Sequence, residues 1–199
     1  MVMRMNTRVS TRCPFAARER RRIAGITLLE VLTVITIAAV LMAIAVPSYQ
    51  YITNANRISG EVNDLLGDMQ YARSEAIKEG QTVSVCASAN STTANPTCSG
   101  NIAWQNGWIV FSDVNGNGTF TAPDVLLRAK SAFPLGDTFD ANNGMSTVIF
   151  NREGFALGLN NIVTITLHAA VPATATTRCL QITIIGQLAT EPAGTGNCA

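Results

Sequence analysis

The spacing of apolar positions along this chain changes twice. From Ile26 to Val46 almost every residue is apolar, and ITLLEVLTVITIAAVLMAIAV breaks the run only with three Thr and Glu30. Its length matches the roughly 20 residues that carry a helix across a bilayer. From Ser48 to Glu79 the pattern turns amphipathic: Ile58, Val62, Leu65, Leu66, Met69, Ala72 and Ala76 recur at three- and four-residue steps with charges between them. That spacing predicts a helix with one buried face, and Gly80 provides its stop. Beyond Gly80, short runs of Val, Ile, Phe and Thr alternate with Gly, Asn and Pro clusters. They predict an antiparallel sheet with strands at 82–87, 108–112, 125–130, 147–151, 162–168 and 179–185. A long helix laid across a sheet gives an α+β fold, with its upper half packed on the domain and its lower half left for neighbours. The organisation is a leader over 1–25, a transmembrane helix over 26–47, its amphipathic continuation over 48–80 and a β-rich domain over 81–199.

Charge divides the chain in the same place. The first 25 residues hold seven Arg against Glu19, a balance of +6, and taking this from the total of +1 leaves about −5 for the remainder. Arg18, Arg20, Arg21 and Arg22 directly precede the apolar run, which sets the N-terminus in the cytoplasm and exports the rest of the chain. Of the five cysteines, Cys13 falls in the leader. Cys86, Cys98, Cys179 and Cys198 fall in the exported part, where an even set reads as two disulfides. Four cysteines allow three pairings, and Cys86 with Cys98 and Cys179 with Cys198 are favoured because both close short loops rich in Thr, Asn, Gly and Pro.

Glu30 decides between readings of the N-terminal run. A cleaved secretory signal would use Ala43-Ile44-Ala45 before Val46, but the run exceeds the usual core of such signals and contains a carboxylate. A plain uncut anchor would carry that carboxylate at a cost of roughly 2.5 to 3.5 kcal/mol without a partner. Gly25-Ile26-Thr27-Leu28-Leu29-Glu30 resembles the prepilin peptidase site of type IV pilins and type II secretion pseudopilins, with Ile26 where Phe is usual. The resemblance implies cutting after Gly25 on the cytoplasmic side, methylation of the new N-terminus at Ile26, and docking through Glu30. Pro47 stands where the family has its helix-kinking proline, a position at which one helix hydrogen bond is removed. In a low-dielectric setting Glu30 would meet a positive N-terminal amine, its own or that of the preceding subunit. The implied partners are other pilin or pseudopilin subunits, the prepilin peptidase and an inner-membrane assembly platform, with the chain in the bacterial inner membrane and its C-terminal domain periplasmic.

Three further stretches narrow the resemblance to the GspH/FimT group of minor pilins and pseudopilins. They are Ala72-Arg73-Ser74-Glu75-Ala76-Ile77 with the Cys86 strand, Trp104-Gln105-Asn106-Gly107-Trp108-Ile109-Val110-Phe111, and Asp113-Val114-Asn115-Gly116-Asn117-Gly118. Large aromatics such as Trp104 and Trp108 are more often core than binding site. The stretch from Asp113 to Asp124 also fits calcium-loop spacing, with Asp113, Asn115, Asn117, Thr119, Thr121 and Asp124 at the ligand positions and Gly118 at the sharp turn. Asp replaces the usual Glu at the last position, and the loop is expected to join two strands, so an Asn-Gly hairpin turn is the favoured reading over calcium.

The remaining chemistry is sparse. His168 is the only histidine, which excludes histidine triads and multi-histidine metal sites. No Gly-rich phosphate loop follows a strand, and no carboxylate pair stands in an apolar run. No catalytic site and no cofactor is expected. Some FimT-like members bind DNA through a Gly-Arg-x-Arg motif in the C-terminal strand. Here the matching stretch is Gly186-Gln187-Leu188-Ala189, without either arginine, so nucleic-acid binding is disfavoured. A secreted or tethered binding protein would need the chemistry this sequence lacks. The expected function is that of a minor pseudopilin or pilin acting by assembly.

Overall fold

The computed structural model describes residues 25–133, 136–169, 176–196 and 198. The basic leader, with its arginines and Cys13, lies outside the described residues apart from Gly25. The chain divides into two compact units, the first ending at Ala43.

Helix α1 runs Leu28–Glu79, 52 residues with Pro47 inside it. Its start is a cap: the Glu30 amide donates to Thr27 Oγ1 at 3.2 Å and the Val31 amide to the Thr27 carbonyl at 3.2 Å. Thr27 is thus the N-cap of α1, with Glu30 three residues on as in the Thr-x-x-Glu cap pattern. In the first unit the side chains from Leu28 to Met42 are almost all exposed, Leu28 to 84%. At the other end Gly80 takes φ +70 and returns its amide to the Ala76 carbonyl at 3.0 Å, a left-handed stop that glycine adopts without a Cβ penalty.

In the second unit α1 buries Ile58, Val62, Leu65, Met69, Ala72 and Ala76, the apolar stripe read from the sequence. That stripe meets not one sheet but two. The first has strand order β3-β2-β1-β5-β6 and the second β4-β7-β8-β9, with β1 Val83–Ala87, β2 Gly107–Ser112, β3 Val125–Ser131, β4 Thr138–Ala141, β5 Thr147–Phe150, β6 Ala156–Leu157, β7 Val163–His168, β8 Arg178–Ile182 and β9 Leu188–Pro192. All the pairings are antiparallel. The expected single sheet is corrected in this respect. β4, β6 and β9 were not signalled because they are short or carry Asp140, Glu191 and Pro192, residues depleted from strands.

β1 and β2 are buried along their whole length, which explains their mostly apolar runs. Val83, Val85, Ala87, Trp108 and Val110 join α1, β4, β5, β7 and β8 in one core. Period two sends Cys86, Ile109 and Phe111 to the opposite face, where they form a second cluster with Cys98 and Phe120. Both tryptophans are core residues with satisfied indoles: Trp104 Nε1 donates to the Met145 carbonyl at 2.9 Å and Trp108 Nε1 to Asp68 Oδ2 at 2.8 Å. Disulfides join Cys86 to Cys98 and Cys179 to Cys198.

Charge also enters this interface. Arg57 pairs with both Glu61 and Asp137. Glu61 is 6% exposed and its Oε2 has no hydrogen-bond partner among the described residues. Burial raises its pKa above 4.5, opposed by the Arg57 charge, with Asp64 raising and Lys130 lowering it further. A raised carboxylate pKa contributes stability fully below the unfolded value and loses it as pH climbs through the folded value. In the full chain in detergent micelles the contribution of Glu61 should therefore be lost as pH rises above about 4.5. Glu61→Gln should flatten that part of the profile and raise the denaturant midpoint at neutral pH. Superimposable profiles for the two proteins would show that ionised Glu61 carries no penalty.

Candidate functional site

The residues expected to carry assembly lie at the start of α1. Glu30 is exposed, one turn into the helix, where a carboxylate is favoured by the N-terminal dipole. Around it the apolar run leaves few polar groups unmet: Thr33 Oγ1 donates to the Glu30 carbonyl at 2.8 Å and Thr36 Oγ1 to the Thr33 carbonyl at 2.8 Å. Such back-bonding makes threonine compatible with hydrocarbon. Glu30 is then the one ionisable side chain between Ile26 and Val46. Thr27 lies within the cut-site stretch read from the sequence, but its role as the cap of α1 went unread. The signal was present, since Thr three residues before Glu at the head of an apolar run is a helix-start pattern. Pro47 has no amide hydrogen to offer the Ala43 carbonyl.

The Asp113–Asp124 stretch is the loop from β2 to β3, as expected. Its two carboxylates are turned onto the protein's own donors. Asp113 is fully buried. Its Oδ2 accepts from Ser84 Oγ at 2.7 Å and from the Gly118 amide at 2.7 Å, and its Oδ1 accepts from the Asn117 amide at 3.1 Å. Asp124 Oδ1 accepts from the Val114 amide at 3.0 Å and Oδ2 from the Thr121 amide at 2.9 Å. Asn115 Oδ1 takes the Asn117 amide at 3.2 Å and Asn117 Oδ1 the Thr119 amide at 2.7 Å. Oxygens that face N–H groups are held by them, and the loop is closed by its own Asx turns.

Arg73, from the Ala72–Ile77 stretch, fastens the helix to both sheets. Its Nε donates to the Gly154 carbonyl at 2.9 Å, in the β5–β6 turn, and its Nη2 to the Ile185 carbonyl at 3.3 Å, in the β8–β9 turn. Gly186 sits at φ +72 directly against Gly154, where a Cβ would collide with the Gly154 carbonyl oxygen. The turn that could have presented arginines to DNA instead exposes Ile184 and Ile185. A similar fastening holds β3 alongside α1, through Arg128 to Asp68 at 3.0 Å and Lys130 to Asp64 at 2.6 Å. His168 lies exposed at the end of β7.

Comparison with known proteins agrees with this architecture. The profile of the family described as type II transport protein GspH matches residues 61–187, and the prokaryotic N-terminal methylation motif matches residues 20–46. No curated protein matches the chain. Among solved structures, a crystal form of the type IV minor pilin FimU of Pseudomonas aeruginosa aligns with a TM-score of 0.54 and 22% identity, covering 71% of this chain and 92% of that one. A second crystal form of the same minor pilin gives 0.47 and 21%, covering 70% and 91%. The first alignment establishes the type IV pilin fold, a long N-terminal apolar helix whose later part packs on antiparallel sheets.

Removing the buried acceptor should be costly. Asp113→Ala removes the acceptor of the Ser84 hydroxyl and the Gly118 amide and one of two acceptors of the Asn117 amide, and should lower unfolding stability by roughly 3 kcal/mol, given about 1.5 to 3 for hydrogen bonds to a charged group. Millimolar calcium should leave the melting temperature of the unmutated protein unchanged. A rise of several degrees on adding calcium, absent in Asp113→Ala, would reassign the loop oxygens to the ion.

Proposed function

The chain belongs to the GspH family and is a minor subunit of pilin or pseudopilin type; from that premise we propose that it is matured by prepilin peptidase and works by assembly into a fibre of the type II secretion or type IV pilus kind. The peptidase cuts after Gly25 and methylates the amine of Ile26. The mature subunit waits in the inner membrane with its N-terminus on the cytoplasmic side and its β-rich domain in the periplasm. An inner-membrane assembly platform then moves it into the fibre.

The observation that carries this reading is the chemistry at the head of α1. A capped helix start holds one carboxylate, Glu30, five residues from the cut site in an otherwise apolar run. A neighbouring subunit's terminal amine supplies the opposite charge, and the pairing is strong because hydrocarbon and packed helices exclude water. Pro47 offers the Ala43 carbonyl no amide hydrogen and gives the helix a place to bend or loosen as it enters the fibre. A structural role, not a catalytic one, is supported by how the domain uses its polar side chains: Asp113, Arg73 and Trp108 all serve to hold elements together.

Two measurements test this. Protein extracted from membranes should begin at Ile26 and be heavier by one methyl group when the peptidase is active, and should retain its leader when the peptidase is deleted. A start at Val46, or an uncut chain in both strains, would withdraw the proposal. Glu30→Ala should still be cut but should fall at least tenfold in the sheared fibre fraction, with undiminished amounts in the membrane. Normal incorporation of that variant would remove the docking role of Glu30.

A further inference from the structure

Of the fourteen Lys and Arg, seven lie in the leader and seven after Gly25. Arg57, Lys78, Arg128, Lys130 and Arg152 each have a carboxylate within ion-pair distance. Arg73 spends its guanidinium on two backbone carbonyls. Arg178 does neither. The one hydrogen bond of its guanidinium among the described residues runs from Nη1 to the carbonyl of the adjacent Thr177 at 3.3 Å.

The position of Arg178 makes this unusual. It opens β8 and shares a strand face with Leu180 and Ile182, which lie in the core. Period two therefore aims it toward α1. There it is half-buried and lines a groove of about 230 Å³ with Ser59, Val62 and Asn63 of α1 and Thr190 of β9. A guanidinium has five N–H donors, and withdrawing it partly from water is unfavourable unless an anion completes it. Asn63 and Thr190 side chains beside it are exposed and make no hydrogen bond among the described residues.

We propose that this groove receives a carboxylate side chain carried on an extended segment of a neighbouring subunit, a contact that rests on the assembly role above. Charge complementarity selects the occupant. One guanidinium matches one carboxylate in bidentate geometry, with neutral donors from Asn63 and Thr190 at its sides. A phosphate dianion would meet a single cation in a chain whose part after Gly25 carries a net charge of about −5. The groove is also bounded by β9, the outer strand of the second sheet. An outer strand has backbone groups free on one side, and they hold an approaching extended chain by main-chain hydrogen bonds while the carboxylate fixes its register.

The test uses full-length protein expressed with its own assembly system and two variants of opposite design. Arg178→Gln removes the cation. Asn63→Asp places a carboxylate inside the groove, so that Arg178 is completed within the chain. Both should fall about tenfold in the sheared fibre fraction relative to the membrane fraction, the scale of one charge-assisted pair. Asn63→Asp should at the same time keep or raise the melting temperature, which separates lost docking from lost folding. Fibre levels equal to the unmutated protein for both variants would overturn the proposal and leave the assembly role intact. Normal incorporation of Asn63→Asp, with Arg178→Gln losing incorporation and melting temperature together, would also overturn it and make Arg178 a folding residue. An Arg178-dependent flotation with phosphatidylglycerol vesicles, with incorporation unaffected, would give the groove to a lipid phosphate and overturn it as well. Absence of the unmutated protein from the fibre fraction would overturn the assembly role and this contact together.

Discussion

The folded part of this molecule depends on one stripe of α1. Ile58, Val62, Leu65, Met69, Ala72 and Ala76 are each at most 3% exposed, and residues from both sheets close over them. Burying one large aliphatic side chain contributes about 1.5 to 3 kcal/mol, so this stripe outweighs any ion pair in the domain. Polar contacts around it act differently: they fix which way the sheets sit. Arg73 reaches a turn of each sheet, and Asp68 receives both the Trp108 indole and the Arg128 guanidinium. Apolar burial supplies the driving force, and these directional bonds select one arrangement among the ways a helix can lie on a sheet.

Much of this was legible in the sequence, and the elements that were not have physical reasons. The stripe on α1 and the Gly80 stop follow from spacing alone. β1 and β2 were found because each is buried on both faces and so reads as a mostly apolar run, broken in β1 only by Ser84. β9 was invisible because Leu188–Pro192 carries Glu191 and Pro192, residues tolerated only where a strand has an open side. β4 is held by its register with β7 and not by its own preference, since Thr138–Ala141 is four residues long and includes Asp140. The division into two sheets rests on long-range pairing that no local pattern encodes.

The candidate site shows the same division. Glu30 stood out because a carboxylate in an apolar run demands an explanation, and the capping role of Thr27 went unread although it carries a recognised cap pattern. The Asp113–Asp124 spacing fitted a calcium loop as well as the favoured Asn-Gly turn, because spacing records which residues alternate and not which way their oxygens face. Here they face amides. Arg178 could not have been singled out at all. Its interest lies in what the other six basic residues after Gly25 have and it lacks, a comparison that exists only once every partner has been placed.

Continuity of α1 also bears on how such a subunit changes surroundings. Within Leu28–Glu79 the backbone bonds to itself, apart from the bond that Pro47 cannot donate, and the threonine hydroxyls at 33 and 36 bond to carbonyls of the same helix. Lipid tails and the packed helices of a fibre therefore present this segment with the same accounting: no main-chain group has to find a new partner on leaving one for the other. What differs between the two is side-chain contact and the state of a single charge. The Glu30 charge is thus the feature of this segment to which the two surroundings differ most, since only one of them brings it an opposite charge.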